Sequence, residues 1–372
     1  MRTLTAVLTL TICLFTLLLV VGWIGQEKEV YDKLLLYQRQ LQGYNDHCLR
    51  TTESPERIEH KTCPLGFVSL RGKCSECPHG MFSLPRWTSC VKFLTCEDLM
   101  TDVRPTRLLW QTERWRYVAA EWNSFRVVYS QRIQNDEYES DNSESYTESA
   151  WKTATQLAPH QNILYPVGSC PHTNTLIYSV TEDVYPLTQL ETLLKRNDCN
   201  NWMVRFKLAM DYVRLLNYLH LHPLGPFVLC SSDSLDTLLS QFAISQHFEL
   251  LLANFDNLPR GHDPVVCSRR ELRGDFVAPE QAWPFSQYRM FNPDEQPGYF
   301  HTSDLWKVPD VTKWFLGNSR DARNILNYLA GIHHRCKSSD YSLRPPAKEI
   351  LTEYESIWSA LVEAGSLDYA IF

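Results

Sequence analysis

Apolar residues change their spacing several times along this chain, and each change predicts a different element. Leu4 to Ile24 is a run of 21 residues without a charged side chain, long enough to cross a bilayer as one helix. Behind it, Gln26 to Gln42 reads helical, with Val30, Leu34, Tyr37 and Leu41 on one stripe and charged or amide residues between. From Arg107 to Ile133 apolar and polar residues alternate, as in Phe125-Arg126-Val127-Val128-Tyr129, which predicts two or three strands of a small sheet. Residues 134–149 are acidic and serine-rich, a solvated loop feeding a helix from Ala150 to Leu157. Trp202, Phe206, Met210, Val213 and Leu216 recur at three- and four-residue steps, predicting a long helix within Asn200 to His222 that Pro223 and Gly225 close. Short strands are expected at Phe227 to Cys230 and Phe248 to Leu252, then a loop-rich stretch to Tyr299. Helices are expected after it, around Asp304 to Gly317, Ala322 to Cys336 and Ala347 to Glu363. The expected fold class is α+β, a small β-rich lobe followed by a larger helical one.

Composition narrows the setting. With 372 residues, 44% of them apolar and 11 tryptophans, the chain has material for a substantial core. A net charge of −7 gives no electrostatic case for nucleic acid; proteins, glycans or small molecules are the expected partners. Arg2 ahead of the apolar run points the N-terminus at the cytoplasm, which makes the run a type II signal-anchor. A cleaved signal peptide is the competing reading, although the run is long for one and no Ala-x-Ala step closes it. Either reading exports the rest of the chain. Six cysteines (Cys48, Cys63, Cys74, Cys77, Cys90 and Cys96) crowd one segment, and five more follow. Behind a secretory segment these read as disulfides rather than zinc ligands, despite Cys74-x-x-Cys77. An odd number leaves one cysteine free or intermolecular. The organisation expected is an anchor over 1–25, a stalk helix over 26–47 that could pair into a short coiled coil, a cysteine-rich segment over 48–100, and a main domain over 101–365 with its lobes dividing near 180.

The segment Gly274-Asp275-Phe276-Val277-Ala278-Pro279-Glu280 carries the Ala-Pro-Glu that closes an activation segment. His160-Gln161-Asn162-Ile163, Asp304-Leu305-Trp306 and Arg344-Pro345-Pro346-Ala347 are further landmarks, as is Phe206-Lys207-Leu208-Ala209 continuing through Leu216-Asn217-Tyr218-Leu219-His220. On these residues the chain resembles the protein-kinase superfamily. With Cys77-Pro78-His79-Gly80, Cys90, Cys96-Glu97-Asp98-Leu99 and Trp283-Pro284 added, it looks closest to the protein O-mannose kinase family, anchored sugar kinases of the secretory pathway. The likeness covers about residues 77 to 360 and is strongest from 200 to 316. It implies a two-lobed kinase-like fold behind the anchor. It also implies an ion pair between Arg344 and Glu280, and an Asp304 carboxylate bracing the catalytic-loop backbone.

The residues of the chemistry depart from that pattern. Phosphoryl transfer needs positioning and charge neutralisation. Where the family has a Cys-Asp step supplying the base, this chain has Cys230-Ser231, and a hydroxyl carries no charge near neutrality. Where an Asp opens the metal triplet, it has Asn254-Phe255-Asp256, and an amide lends Mg²⁺ no net charge. No glycine occurs between Gly80 and Gly168, so the phosphate-cradling turn is replaced by Leu109-Trp110-Gln111-Thr112-Glu113. The strand expected to end in lysine reads Val127-Val128-Tyr129-Ser130. Against this, Asp233, Asp236 and Asp256 lie near the replaced positions and form a candidate cation site; as turn and cap residues they need no cation. Arg273-Gly274-Asp275 is read as part of the activation segment rather than an adhesion tripeptide, and His333-His334 as helical neighbours pointing about 100° apart.

Three functions are consistent with this pattern. The first is a pseudokinase that binds an O-mannosyl glycan or glycoprotein and needs no cofactor. The second is an active kinase using ATP with Mg²⁺ or Mn²⁺ on the 6-hydroxyl of an O-linked mannose of a dystroglycan-type glycan. The third is a structural partner of glycosyltransferases. The expected location is the endoplasmic reticulum membrane, with the Golgi as the alternative.

Overall fold

The computed structural model describes residues 48, 63, 65–70, 73–85, 87–112, 114–133, 146–230 and 232–363. The anchor over 1–25 and the stalk over 26–47 lie outside them. Among the described residues no helix is long and apolar enough to cross a membrane. By contacts the chain divides into one unit of residues 55–359 and another made of 1–54 with 360–372. Among the described residues the first unit holds every strand and nearly all of the helical residues.

Two hairpins come first, β1 (Phe67–Leu70) with β2 (Lys73–Glu76), and β3 (Met81–Phe82) with β4 (Val91–Lys92). Disulfides Cys63–Cys74 and Cys77–Cys90 staple them. A third disulfide, Cys96–Cys170, ties the start of helix α1 (Cys96–Thr101) to the end of strand β8 (Tyr165–Cys170). So small a segment has little core of its own, and covalent closure substitutes for it. Its apolar residues Phe82, Leu84 and Leu94 instead share one core with Val103, Trp122, Val127 and Ile177 of the main sheet. Leu94 lies so close to Gly168 that a Cβ there would meet it at 2.4 Å; the glycine permits the approach.

The main sheet has five strands: β5 (Val103–Gln111), β6 (Trp115–Trp122), β7 (Phe125–Arg132), β9 (Thr175–Ser179) and β8, in that order and all antiparallel. Alternation sends successive side chains to opposite faces. On β6, Ala120 and Trp122 join the core shared with the cysteine-rich segment, while Trp115 and Tyr117 are also buried. Helix α2 (Tyr146–Leu157) buries Ala150, Ala154 and Leu157 while packing against β8 and β9.

Beyond the sheet the chain becomes helical. Strand β10 (Val184–Pro186) and helix α3 (Leu190–Arg196) lead to α4 (Trp202–His220), whose start is capped by Asn201, the side chain accepting from the Val204 N–H at 3.0 Å. Helix α5 (Leu235–Leu239), strands β11 (Phe242–Ser245) and β12 (Leu250–Leu252), and helices α6 (Thr302–Leu305), α7 (Val308–Leu316), α8 (Arg320–Tyr328), α9 (Ala330–Cys336) and α10 (Ala347–Glu363) complete it. The architecture is mixed α and β, sheet-rich then helix-rich, and fits a kinase-like fold.

Several expected elements are corrected. Phe227 to Cys230 is not a strand; it makes one isolated bridge, Phe227 to Arg260. The strand expected from Phe248 begins at Leu250, because Phe248 has a φ of 57° in the tight turn joining β11 to β12. Each of the expected helices Asp304 to Gly317 and Ala322 to Cys336 is two shorter ones. The helix expected from Ala150 starts four residues earlier, at Tyr146. Cys199 is disulfide-bonded, Cys230 bonds Cys267, and Cys336 is free and buried, so the odd thiol is a core residue whose pKa burial pushes up to about 12.

Candidate functional site

The floor of the site is a network of buried charges. Asp304, fully buried on α6, accepts from the Leu229 N–H at 3.2 Å and faces His220 Nε2 at 3.1 Å. Arg344 donates to both carboxylate oxygens of Glu280, at 2.5 and 2.8 Å, and to the carbonyls of Thr302 and Ser338. Its guanidinium also lies over the Trp306 ring, whose indole N–H donates to the Asp275 carbonyl at 3.1 Å. Lys307 is fully buried beneath the loop and donates to Ser232 Oγ, which in turn donates to the Leu229 carbonyl. Burial pulls the Lys307 pKa down to about 8, against the opposing pull of Asp304, Glu280 and Asp233. These bonds hold the backbone at Leu229, the side chain of Ser232 and the activation segment against one base.

Among its described residues, the loop above this base assembles no cation site. Ser231 lies outside the described residues. The Asn254 side chain is used locally: its Oδ1 accepts from the Asp256 N–H at 2.9 Å. Asp233 pairs with Arg270, while Asp236 is exposed in the first turn of α5. Asp256 turns toward the sheet, to Trp115. Among the described residues no three His, Cys, Asp or Glu side chains gather at metal-binding spacing. The disulfide from Cys230 to Cys267 ties this loop to the activation segment.

Side chains of the sheet and of the helical region meet across the cleft between them. Trp115, at the start of β6, is buried and donates its indole N–H to Asp256 Oδ2 at 2.8 Å. Behind it, Tyr117 stacks on Trp110 with ring centroids 4.2 Å apart, and Tyr178 lies 5.9 Å from Phe255. Burial pushes the pKa of both tyrosines well above the ordinary range, so both are neutral. Ser130, where a kinase strand would carry lysine, is buried and hydrogen-bonded to Tyr178. Burial pushes the Asp256 carboxyl up to about 6, despite the Trp115 N–H and the fields of Arg132 and Arg114. At the linker after β9, Arg107 and Arg126 reach Asp183 at 3.4 and 3.8 Å. Sheet and helical region are therefore joined at Asp256 and at Asp183.

Among the described residues, this arrangement does not fit a metal–nucleotide complex. A triphosphate needs a concave run of backbone N–H groups and a nearby cation. Here an indole and a carboxylate bond directly where the strand turn meets the metal triplet. Sequence reasoning placed the obstruction at Trp110 and Glu113; Glu113 lies outside the described residues, and Trp110 covers Tyr117. Trp115 makes the contact. The sequence reading missed Trp115, Tyr117, Asp183 and Lys307. Trp115 and Tyr117 did carry a signal, being two large aromatics at i, i+2 in a strand already read as alternating.

The remaining motifs are structural. His160 Nδ1 accepts from the Asn162 N–H, and Asn162 Nδ2 donates to the Leu250 carbonyl at 2.8 Å, joining the bend before β8 to β12. Gly274, with a φ of 108°, forms the turn of the Arg-Gly-Asp step, and its carbonyl accepts from the Val277 N–H. His333 bonds the Tyr354 hydroxyl while His334 is exposed.

No family model matches the chain. Among curated proteins it is similar to Protein O-mannose kinase of Homo sapiens, 33% identical over 296 residues that span 78% of this chain and 83% of the relative. Protein O-mannose kinase of Macaca fascicularis is 33% identical over 294 residues, 77% and 82% of the two chains. The Xenopus laevis protein of the same name is 30% identical over 320 residues, 83% and 85%.

Proposed function

The chain belongs to the protein O-mannose kinase family, and on that premise we propose that it is a non-catalytic member, a pseudokinase that binds an O-mannosyl glycoprotein without phosphorylating it. The observation that carries this reading is the bond from Trp115 to Asp256 across the cleft. Around it, Asn254 serves a local turn, Asp233 pairs with Arg270, and Asp236 stands apart on α5. Phosphoryl transfer is mostly electrostatic positioning, and these residues offer neither the cradle nor the counter-charge. The family's substrate class, not its reaction, is what we carry over. The proposal places the domain in the lumen of the endoplasmic reticulum, behind the apolar run Leu4 to Ile24 as a type II anchor, with the 26–47 stalk as the segment that would pair two copies.

The test uses the full chain in detergent or nanodiscs. Incubated with ATP, Mn²⁺ and an O-mannosyl glycopeptide, it should transfer no phosphate to the mannose 6-hydroxyl. Titrated with the same glycopeptide and its unglycosylated form, it should bind the first in preference. Metal-dependent transfer would establish the active-kinase reading instead. Absence of both transfer and preference would leave a structural partner of glycosyltransferases.

A further inference from the structure

Helix α2 buries Thr147, Ala150, Ala154 and Leu157 as one stripe, and its largest side chain, Trp151, stands beside that stripe, half-buried. The indole and Phe93 meet at right angles, ring centroids 5.0 Å apart, and Phe93 stacks in turn on the core residue Phe82 at 5.8 Å. Trp151 and Phe93 wall an open groove of about 520 Å³, which Glu97 of α1, Ser169 of β8 and His172 on the turn after β8 help to line. None of these residues belongs to the cleft. The volume falls within the usual range of small-ligand sites, about 300–1,000 Å³.

The banks of this groove are fixed before anything enters it. The disulfide Cys96–Cys170 pins the start of α1 to the end of β8. The Leu94 N–H donates to the Val167 carbonyl at 2.8 Å, and the Ser169 N–H to the Leu94 carbonyl at 3.0 Å, so a ligand has little backbone to order. The polar side chains are not engaged by the protein. Among the described residues the Glu97 carboxylate, the His172 ring, the Ser169 hydroxyl and the Trp151 indole N–H have no hydrogen-bond or ion-pair partner. No lysine or arginine lines the groove among the described residues, and Glu97 is its one carboxylate. The negative face of an aromatic ring attracts C–H groups, and carboxylate, hydroxyl and imidazole together accept from and donate to neighbouring hydroxyls. A phosphate or carboxylate on the ligand would meet Glu97 with no counter-charge lining the groove.

We infer that this groove is a saccharide site, taking one neutral pyranose ring against Trp151 and holding its hydroxyls with Glu97 and His172. It rests on the proposed function only for the source of that ring, an O-mannosyl glycan. It gives such a glycan a place to dock outside the cleft that Trp115 and Asp256 bridge.

The experiment follows the indole N–H resonances of the full chain in nanodiscs by NMR, with the Trp151 signal assigned by Trp151→Phe. The probes are the methyl glycosides of mannose, glucose and galactose, together with mannose 6-phosphate and cyclohexanol. At least one neutral glycoside should shift the Trp151 signal saturably and leave the Trp115 signal in place. Mannose 6-phosphate and cyclohexanol should each bind about ten-fold more weakly or worse. Glu97→Ala and His172→Ala, at exposed positions and made separately, should each weaken the glycoside about ten-fold. No saturable shift at Trp151 with any glycoside, equal affinity for cyclohexanol or the phosphate, or unchanged affinity in both alanine variants would overturn the proposal. The glycopeptide titration separates the two readings. Preference for the glycopeptide with no shift at Trp151 sinks the groove and keeps the pseudokinase, whereas a glycoside shift at Trp151 with no glycopeptide preference keeps the groove and sinks the glycoprotein-binding reading.

Discussion

The two sides of the cleft have had different fates. Below it, Asp304 and Lys307 both hold the loop at Leu229, Lys307 through Ser232, and Arg344 pairs with Glu280 beside them. Above it, the strand face that would meet a nucleotide presents Trp115, Tyr117 and Ser130. The lower network holds two loops in place and is useful whether or not phosphate is transferred. The upper face is useful to a kinase only if it stays open. On the proposed reading, loss of chemistry costs the fold nothing below and permits aromatic side chains above.

Breaking the lower network should have the largest effect. Arg344→Ala strands a largely buried Glu280 carboxylate and should cost about 3–5 kcal/mol, seen as a lowered denaturation midpoint. Glu280→Ala should do the same, and near-neutral results in both would contradict the scaffold as described. Next comes Asp256. Its folded pKa of about 6 lies above the ordinary 3.8, so the folded chain holds that proton more tightly than the unfolded one. Stability from this group is full below about pH 4, falls as pH rises through about 6, and stays low beyond. Asp256→Asn, which can still accept from Trp115, should therefore raise stability at about pH 7.5 by about 2–3 kcal/mol and by almost nothing at about pH 4. A pH-independent change would show that the carboxyl is not buried as described. Trp115→Phe keeps most of the packing and removes the indole donor; a loss of about 1.5–3 kcal/mol is expected from equilibrium unfolding at neutral pH, and no measurable loss would mean the bond holds nothing.

How much of this was legible in the sequence divides along the same line. The long helix α4 was readable because its apolar residues recur at helical spacing along its length. The lower network was readable through the resemblance, because Asp304, Glu280 and Arg344 sit in short motifs. Strands β8 to β11 were not read, since Tyr165–Cys170 and Thr175–Ser179 are buried on both faces and show no alternation. The two-part helices were merged because a one- or two-residue break scarcely interrupts helical periodicity. At the cleft, Ser231 and Asn254 were readable as departures from the kinase pattern, but the contact between Trp115 and Asp256 was not. Trp110 and Trp115 flank one turn, and only the pairing of Tyr117 with Ser130 decides which indole faces Asp256.

The smallest expected effect sharpens the comparison most. Ser231→Asp with Asn254→Asp restores both carboxylates yet leaves Trp115 in place, so phosphate transfer to an O-mannosyl glycopeptide should stay at background. Full turnover from that pair alone would falsify the view that the upper face is closed.

The most direct measurement is thermal melting of the full chain with ATP and Mg²⁺ or Mn²⁺. A nucleotide present at roughly 100 times its dissociation constant stabilises a fold by about 2.7 kcal/mol, a plainly visible shift. No shift with either metal is the expected result, because the site such a complex needs holds Trp115 and Asp256. A saturable, metal-dependent rise in melting temperature would contradict a closed cleft and return the chain to the active kinases.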